Sequence, residues 1–140
     1  MNLDAAIHKL RARNEPVPNP VRLPTPAEVE AAERRLGVSL HRDFRRYLLE
    51  ASDVNYGAIE PVTITHAESH TDLFKVARAA WENFRVPRDL VPICESNADF
   101  YCMNSAGEVV YWSHNGWSSE RWPSLADWIE HVWLEDFNNP

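Results

Sequence analysis

Apolar positions along this chain change period once, from a helical repeat to a strand-like one. Leu3, Ile7 and Leu10 recur at helical spacing and predict a short helix over residues 3–13. Residues 16–26 hold five prolines (Pro16, Pro18, Pro20, Pro24 and Pro26), which predict an extended, polyproline-like link. Thr25-Pro26-Ala27-Glu28 then reads as a complete helix start. Thr25 caps, Pro26 takes the first helical position, and Glu28 closes a capping box. Val29, Ala32 and Leu36 line one side of that helix, and Gly37 is suited to end it in the left-handed conformation. A third helix is expected over residues 41–52, with Phe44, Tyr47, Leu48 and Ala51 as its apolar stripe. Asp53 to Gly57 is turn chemistry, and Ile59 to Thr65 is strand-like. The strongest helical repeat runs over residues 69–84 through Leu73, Val76, Ala77, Ala80, Trp81 and Phe84.

Beyond Val86-Pro87 the repeat becomes strand-like. Residues 90–95, 99–103 and 108–114 predict three strands, with Pro92 marking a start or an edge of the first. Asn104-Ser105-Ala106-Gly107 predicts a hairpin loop with Gly107 at positive φ. A four-residue loop would place Cys102 opposite Val109 and Phe100 opposite Tyr111, and a one-residue change would swap the faces. A last helix starts at Ser124, with Leu125, Trp128, Ile129, Val132 and Trp133 as its stripe. Helices first, then a mostly antiparallel sheet, then a closing helix make the expected class α+β.

Composition agrees with one folded domain of 140 residues: 44% apolar and 25% charged residues, with six Trp, five Phe and four Tyr to fill a core. The N-terminal residues carry an early acid and no apolar core segment, so they do not read as a signal peptide. No run approaches a bilayer-spanning length of about 20 apolar residues. Cys94 and Cys102 lie in strand-like surroundings and read as small buried hydrophobes of a reducing compartment, although a disulfide is open to them. The expected location is the cytoplasm. Net charge is −7, and its distribution is uneven. Residues 98–140 hold Asp99, Glu108, Glu120, Asp127, Glu130, Glu135 and Asp136 against Arg121 alone. Such a surface repels phosphate backbones and anionic membranes and steers basic partners inward.

Candidate chemistry is sparse. Residues 112–123 form a Trp-rich loop on which Trp112, His114, Trp117, Glu120 and Arg121 are candidate contacts, since Trp and Arg are enriched at interface hot spots and loops on a rigid scaffold carry recognition. The competing role for Trp112 and Trp122 is core packing. Asp127, Glu130, His131 and Glu135 form the polar face of the last helix, either a solvated face or a match for a basic partner. Asp99 suits the capping of backbone N–H groups more than contact with a partner. His66 and His70 are four apart, but no third ligand stands out, so no metal and no cofactor is expected. Cys102, His114 and Asp99 are the side-chain types of a thiol triad, yet nothing in their spacing assembles them.

The succession of motifs resembles the SUKH superfamily in its Smi/Knr-type branch. The resemblance rests on Pro24 to Val29, Glu33 to Gly37, Phe44 to Leu49, Asn55-Tyr56-Gly57, Asn97 to Met103, Gly107 to His114 and Ser124 to Ile129. It covers roughly residues 24–134, with the first helix and proline link (residues 1–23) ahead of it. Gly57, Asp99 and Gly107 stand as signature positions. Tyr56 and Ala98 depart from the family pattern, which commonly has glycine at both. The resemblance implies a sheet of about six strands flanked by helices, whose concave face recognises proteins without catalysis. It further implies an immunity protein that neutralises a cognate toxin domain of a polymorphic toxin system. The charge favours a basic toxin, such as a nuclease. A regulatory module with a non-toxin partner is the alternative.

Overall fold

Side chains at the helix ends determine where helices begin in this protein. The computed structural model describes residues 2–136, apart from the side chains at 116, 117 and 136. Helix α1 (Leu3–Ala12) is capped by Asn2, whose Oδ1 accepts from the Ala5 N–H at 2.8 Å. Helix α2 (Pro26–Leu36) has the expected capping box. Glu28 N–H donates to Thr25 Oγ1, and Thr25 N–H donates to Glu28 Oε1. Arg22 braces the same carboxylate at 2.6 Å and, with the Thr25 amide, holds its pKa down at about 2. Gly37 closes α2 at φ +75°. Helix α3 (Arg42–Ala51) is capped by the ring of His41, whose Nδ1 accepts from Asp43 N–H at 3.0 Å.

Helix α4 (Leu73–Arg78) begins later than its periodicity suggests, because buried Asp72 accepts from both Phe74 N–H and Glu68 N–H. That leaves residues 66–71 as turns, and a π-helical turn (Ala79–Asn83) extends α4 at its other end. The last helical stretch is likewise composite: α5 (Leu125–Trp128), capped by Ser124, then a π-helical turn (Ile129–Trp133), then α6 (Leu134–Asp136).

The sheet is antiparallel with order β1 (Val91–Ser96), β2 (Asp99–Met103), β3 (Val109–Ser113), β4 (Gly116–Trp122). Four strands are described, not about six. The strand expected at residues 59–65 forms only two isolated bridges, Pro61 with Cys94 and Thr63 with Asp72. Pro61 has no N–H with which to build a ladder. Conversely, β4 occupies the stretch read as a Trp-rich loop. The hairpin register also differs by one residue: Cys102 faces Val110 and Phe100 faces Trp112. Asn104 Oδ1 accepts from both Ala106 N–H and Glu108 N–H, and these bonds draw Glu108 into the loop.

Helices cover both faces of the sheet. On one face Tyr101 packs against Tyr111, Trp122 and Trp128 at ring distances of 5.0, 5.7 and 5.4 Å. Trp133 extends this aromatic layer to Tyr47, whose hydroxyl donates to Val62 O. On the other face Phe100 meets Phe84, just beyond the first π turn. The residues of the apolar stripes of α1 and α3 are buried, as are Leu73, Val76, Ala77, Ala80, Trp128, Ile129 and Trp133, while Trp81 and Phe84 are half-buried. The proline-rich stretch crosses the surface in extended form, tied at Asn55 by Glu15 N–H and at Thr65 by Arg22 O. No helix among the described residues is long and apolar enough to cross a membrane.

Candidate protein-binding site

The β3–β4 hairpin is held to the start of β2 by one carboxylate. Asp99 opens β2 after Asn97 and Ala98, both at positive φ. Its Oδ2 accepts from the Tyr111 hydroxyl at 2.7 Å, and its Oδ1 accepts from the His114 N–H at 2.8 Å. His114 Nδ1 lies 2.7 Å from the same Oδ1. The Tyr111 bond, with the contribution of His114, brings the Asp99 pKa down to about 2. Burial, then the bond to Asp99, pushes the Tyr111 hydroxyl well above its ordinary value. Asp99 is therefore anionic at neutral pH and directed inward. It clasps the turn at Ser113–Gly116, in keeping with the expected capping role.

Around this clasp the residues proposed from the sequence divide. Trp112 is half-buried against the core, opposite Phe100 on one side and Trp117 on the other. Trp122 packs on Tyr101. Both of these tryptophans thus pack against the core while remaining partly exposed. The backbone of Trp117 lies in β4, while its side chain lies outside the described residues. His114 and Glu120 are exposed beside the hairpin, and Glu120 is close enough to Tyr111 to raise its pKa further. Arg121 is exposed but tied to Glu108 at 3.1 Å, and Asn104 holds the same carboxylate.

The acidic face of the last helix is less free than its spacing suggested. Ser124 Oγ donates to Asp127, so Asp127 belongs to the helix cap. Glu130 lies 3.7 Å from Lys9 of α1. Glu135 stands exposed, 4.0 Å from His131. Among the signature glycines, Gly57 is at φ +64° and Gly107 at φ +90°. A Cβ on Gly107 would stand 2.7 Å from His41 Nε2, so the hairpin loop closes directly on the cap of α3.

The thiol triad is not assembled. Asp99 and His114 do meet, but Cys102 occupies the alternate face of β2. Its thiol is fully buried, and burial raises its pKa far above the nucleophilic range. Cys94 and Cys102 are both free and buried. His66 and His70 precede α4 rather than sharing a helical face, and His70 Nε2 pairs with Glu60 at 2.8 Å. Among the described residues no three His, Cys, Asp or Glu side chains converge as metal ligands.

The SUKH_5 family, whose description is SMI1-KNR4 cell-wall, matches residues 3–134. The chain belongs to this family. A crystal structure of a protein from Pseudomonas syringae pv. tomato is similar throughout, with a TM-score of 0.89 at 42% identity. The alignment covers 94% of this chain and 98% of that one. No curated protein matches the chain. The SUKH match takes in α1 and the proline-rich stretch as well as the sheet.

Tyr111 is the member of the clasp that sequence reading missed. It sits diagonally across from Asp99, a relation visible only once the β2–β3 register is known. The signal was the odd spacing of Asp99, Tyr101 and Met103 against Val109 and Tyr111, which places all five on one face.

Proposed function

We propose that this SUKH domain is a non-catalytic protein-binding domain, most specifically an immunity protein that binds and neutralises a cognate secreted toxin domain. The observation that carries the reading is the division of charge around a braced hairpin. Arg11, Arg22, Arg45, Arg46, Arg78 and Arg121 are each paired with a carboxylate of the chain itself. Part of the basic charge is thus neutralised within the chain, while Glu120 and Glu135 stand at the surface. A basic partner, a nuclease for example, would be steered toward this surface, with aromatic anchors supplying affinity and acids supplying encounter rate. The inward direction of Cys102 supports a binding rather than a catalytic role. Action on a toxin inside the producing cell would place the protein in the cytoplasm.

The proposed contact residues are Trp112, His114, Trp117, Glu120 and Arg121 on the hairpin, with Asp127, Glu130 and Glu135 on the last helical stretch. Co-expression with the toxic domain encoded beside this gene tests the reading. Growth should be rescued, and a one-to-one complex should co-purify. Trp117→Ala and charge reversal at Glu130 with Glu135 should weaken that complex in a folded protein. If no neighbouring product is toxic and none forms a complex, the proposal fails. The SMI1-KNR4 cell-wall description favours a second reading, a regulatory interaction module with a non-toxin partner. A neighbourhood of cell-wall genes and a complex with one of their products would select it.

A further inference from the structure

Away from the hairpin, the opposite edge of the sheet carries a trough. Three concavities of about 390, 360 and 340 Å³ share His70 in their walls; Glu60 joins the first to the second, and Glu95 joins the second to the third. They therefore run into one another, from beneath the proline-rich stretch, past the outer edge of β1, to α4. Strand β1 ends the sheet on this side. The chain covers its edge at the Pro61–Cys94 bridge, where Val62 N–H donates to Ile93 O at 2.8 Å. Pro61 cannot extend that pairing. Beyond it, Glu95 and Ser96 border the middle concavity, with β2 on their inner side and no described strand on their outer side.

Three properties specify what fits there. An edge strand offers backbone N–H and C=O groups to an added strand. The third concavity is a groove with an apolar wall of Val76, Ala79, Phe84 and Phe100, and Ala79 belongs to the π-helical turn. The middle concavity carries the carboxylates of Glu60 and Glu95. One oxygen of Glu95 receives Ala98 N–H at 2.8 Å, and Glu60 pairs with the ring of His70, whose side chain is 73% exposed. A cation is the natural complement of these two carboxylates.

Backbone geometry marks the same place. The described non-glycine residues at positive φ are Glu68, Arg85, Asn97 and Ala98, and two of them lie in the trough's lining. Asn97 and Ala98 line it, Arg85 follows Phe84, and the Glu68 carbonyl receives Lys75 Nζ from its wall. Such conformations persist where the surroundings over-determine them and collect at sites of function.

We propose that the β1 edge docks an extended segment of a partner protein as an added strand, with an apolar side chain in the groove and a lysine or arginine two positions away between Glu60 and Glu95. Two positions is the distance, about 7 Å, at which an extended chain repeats its side-chain direction. The proposal is independent of the toxin reading, since it requires neither the hairpin nor a toxic partner.

The test is selection of phage-displayed random peptides of about eight residues, a strand's length, on the intact chain. Enriched peptides should share an apolar-x-basic pattern. Glu60→Lys and Glu95→Lys should each weaken the best peptide by about tenfold or more, as read by fluorescence anisotropy. Ala79→Trp, with its fold checked by near-ultraviolet circular dichroism, should block the groove. N-methylation of alternate peptide amides should weaken binding, while Trp117→Ala should not. Absence of a consensus, peptide affinities unchanged in both lysine variants, or loss of binding with Trp117→Ala alone would overturn the proposal.

Discussion

Replacing Asp99 by asparagine keeps the shape of the clasp and removes its charge. The carboxylate is only 19% exposed and titrates at about 2 instead of 3.8. At about 1.36 kcal/mol per unit, that displacement corresponds to roughly 2 kcal/mol of native-state stabilisation at neutral pH. The sign follows from the direction. Because the folded value lies below the unfolded one, the contribution is complete above about pH 5 and is lost as pH falls through 3.8 toward 2. Urea unfolding of the native protein and of Asp99→Asn, from pH 7 downward, reads it directly. The variant should be about 2 kcal/mol less stable at pH 7, the gap should be roughly halved near pH 3, and it should nearly close at pH 2. Tyr111→Phe removes the largest cause of the shift, so the Asp99 carboxyl midpoint, followed by NMR, should rise toward 3.8 in that variant. Equal stability of Asp99→Asn and the native protein at pH 7, or a gap that ignores pH, would refute the clasp.

Four further outcomes follow from the packing and the backbone conformation. Trp128→Ala should lower stability by about 3–5 kcal/mol in urea titration, since the ring is fully buried between Tyr101 and Trp133. Gly107→Ala should cost about 2 kcal/mol by thermal unfolding. Its φ of +90° disfavours a side chain, and the new Cβ would displace the His41 ring that caps α3. Combining it with His41→Ala should cost less than the sum of the two, because both changes remove the same cap. Ala98→Gly should raise stability by about 0.5–1 kcal/mol in the same assay, since Ala98 is held at φ +69°.

Much of the helical half was legible because its determinants are local. A capping box needs only Thr25 and Glu28 in register, and Gly37 needs only its own freedom to turn. The stripes of α1 and α3 follow from spacing within one helix. Strand β4 was not legible: Ser118, Ser119, Glu120 and Arg121 carry no apolar alternation, and they form a strand because β3 offers a ladder. The segment 59–65 shows the converse, a strand-like composition with Pro61 where a ladder bond would be needed.

The sequence by itself determined the starts of α1, α2, α3 and the last helical stretch, the α+β class and the concentration of acid in the last third, since each depends on residue types close together in the chain. It also carried the order of motifs that marks a SUKH domain. Only tertiary structure decided where those acids point. Asp99 turns inward because Tyr111 of β3 and His114 of the turn after it arrive beside it, Asp127 is drawn into its helix cap, and Glu130 faces Lys9 of the first helix. Only tertiary structure brought Glu60 and Glu95 to one edge of the sheet, where residues far apart in the chain share a surface. Charge along a sequence is a total, and its availability to a partner is settled by the intramolecular bonds that consume it.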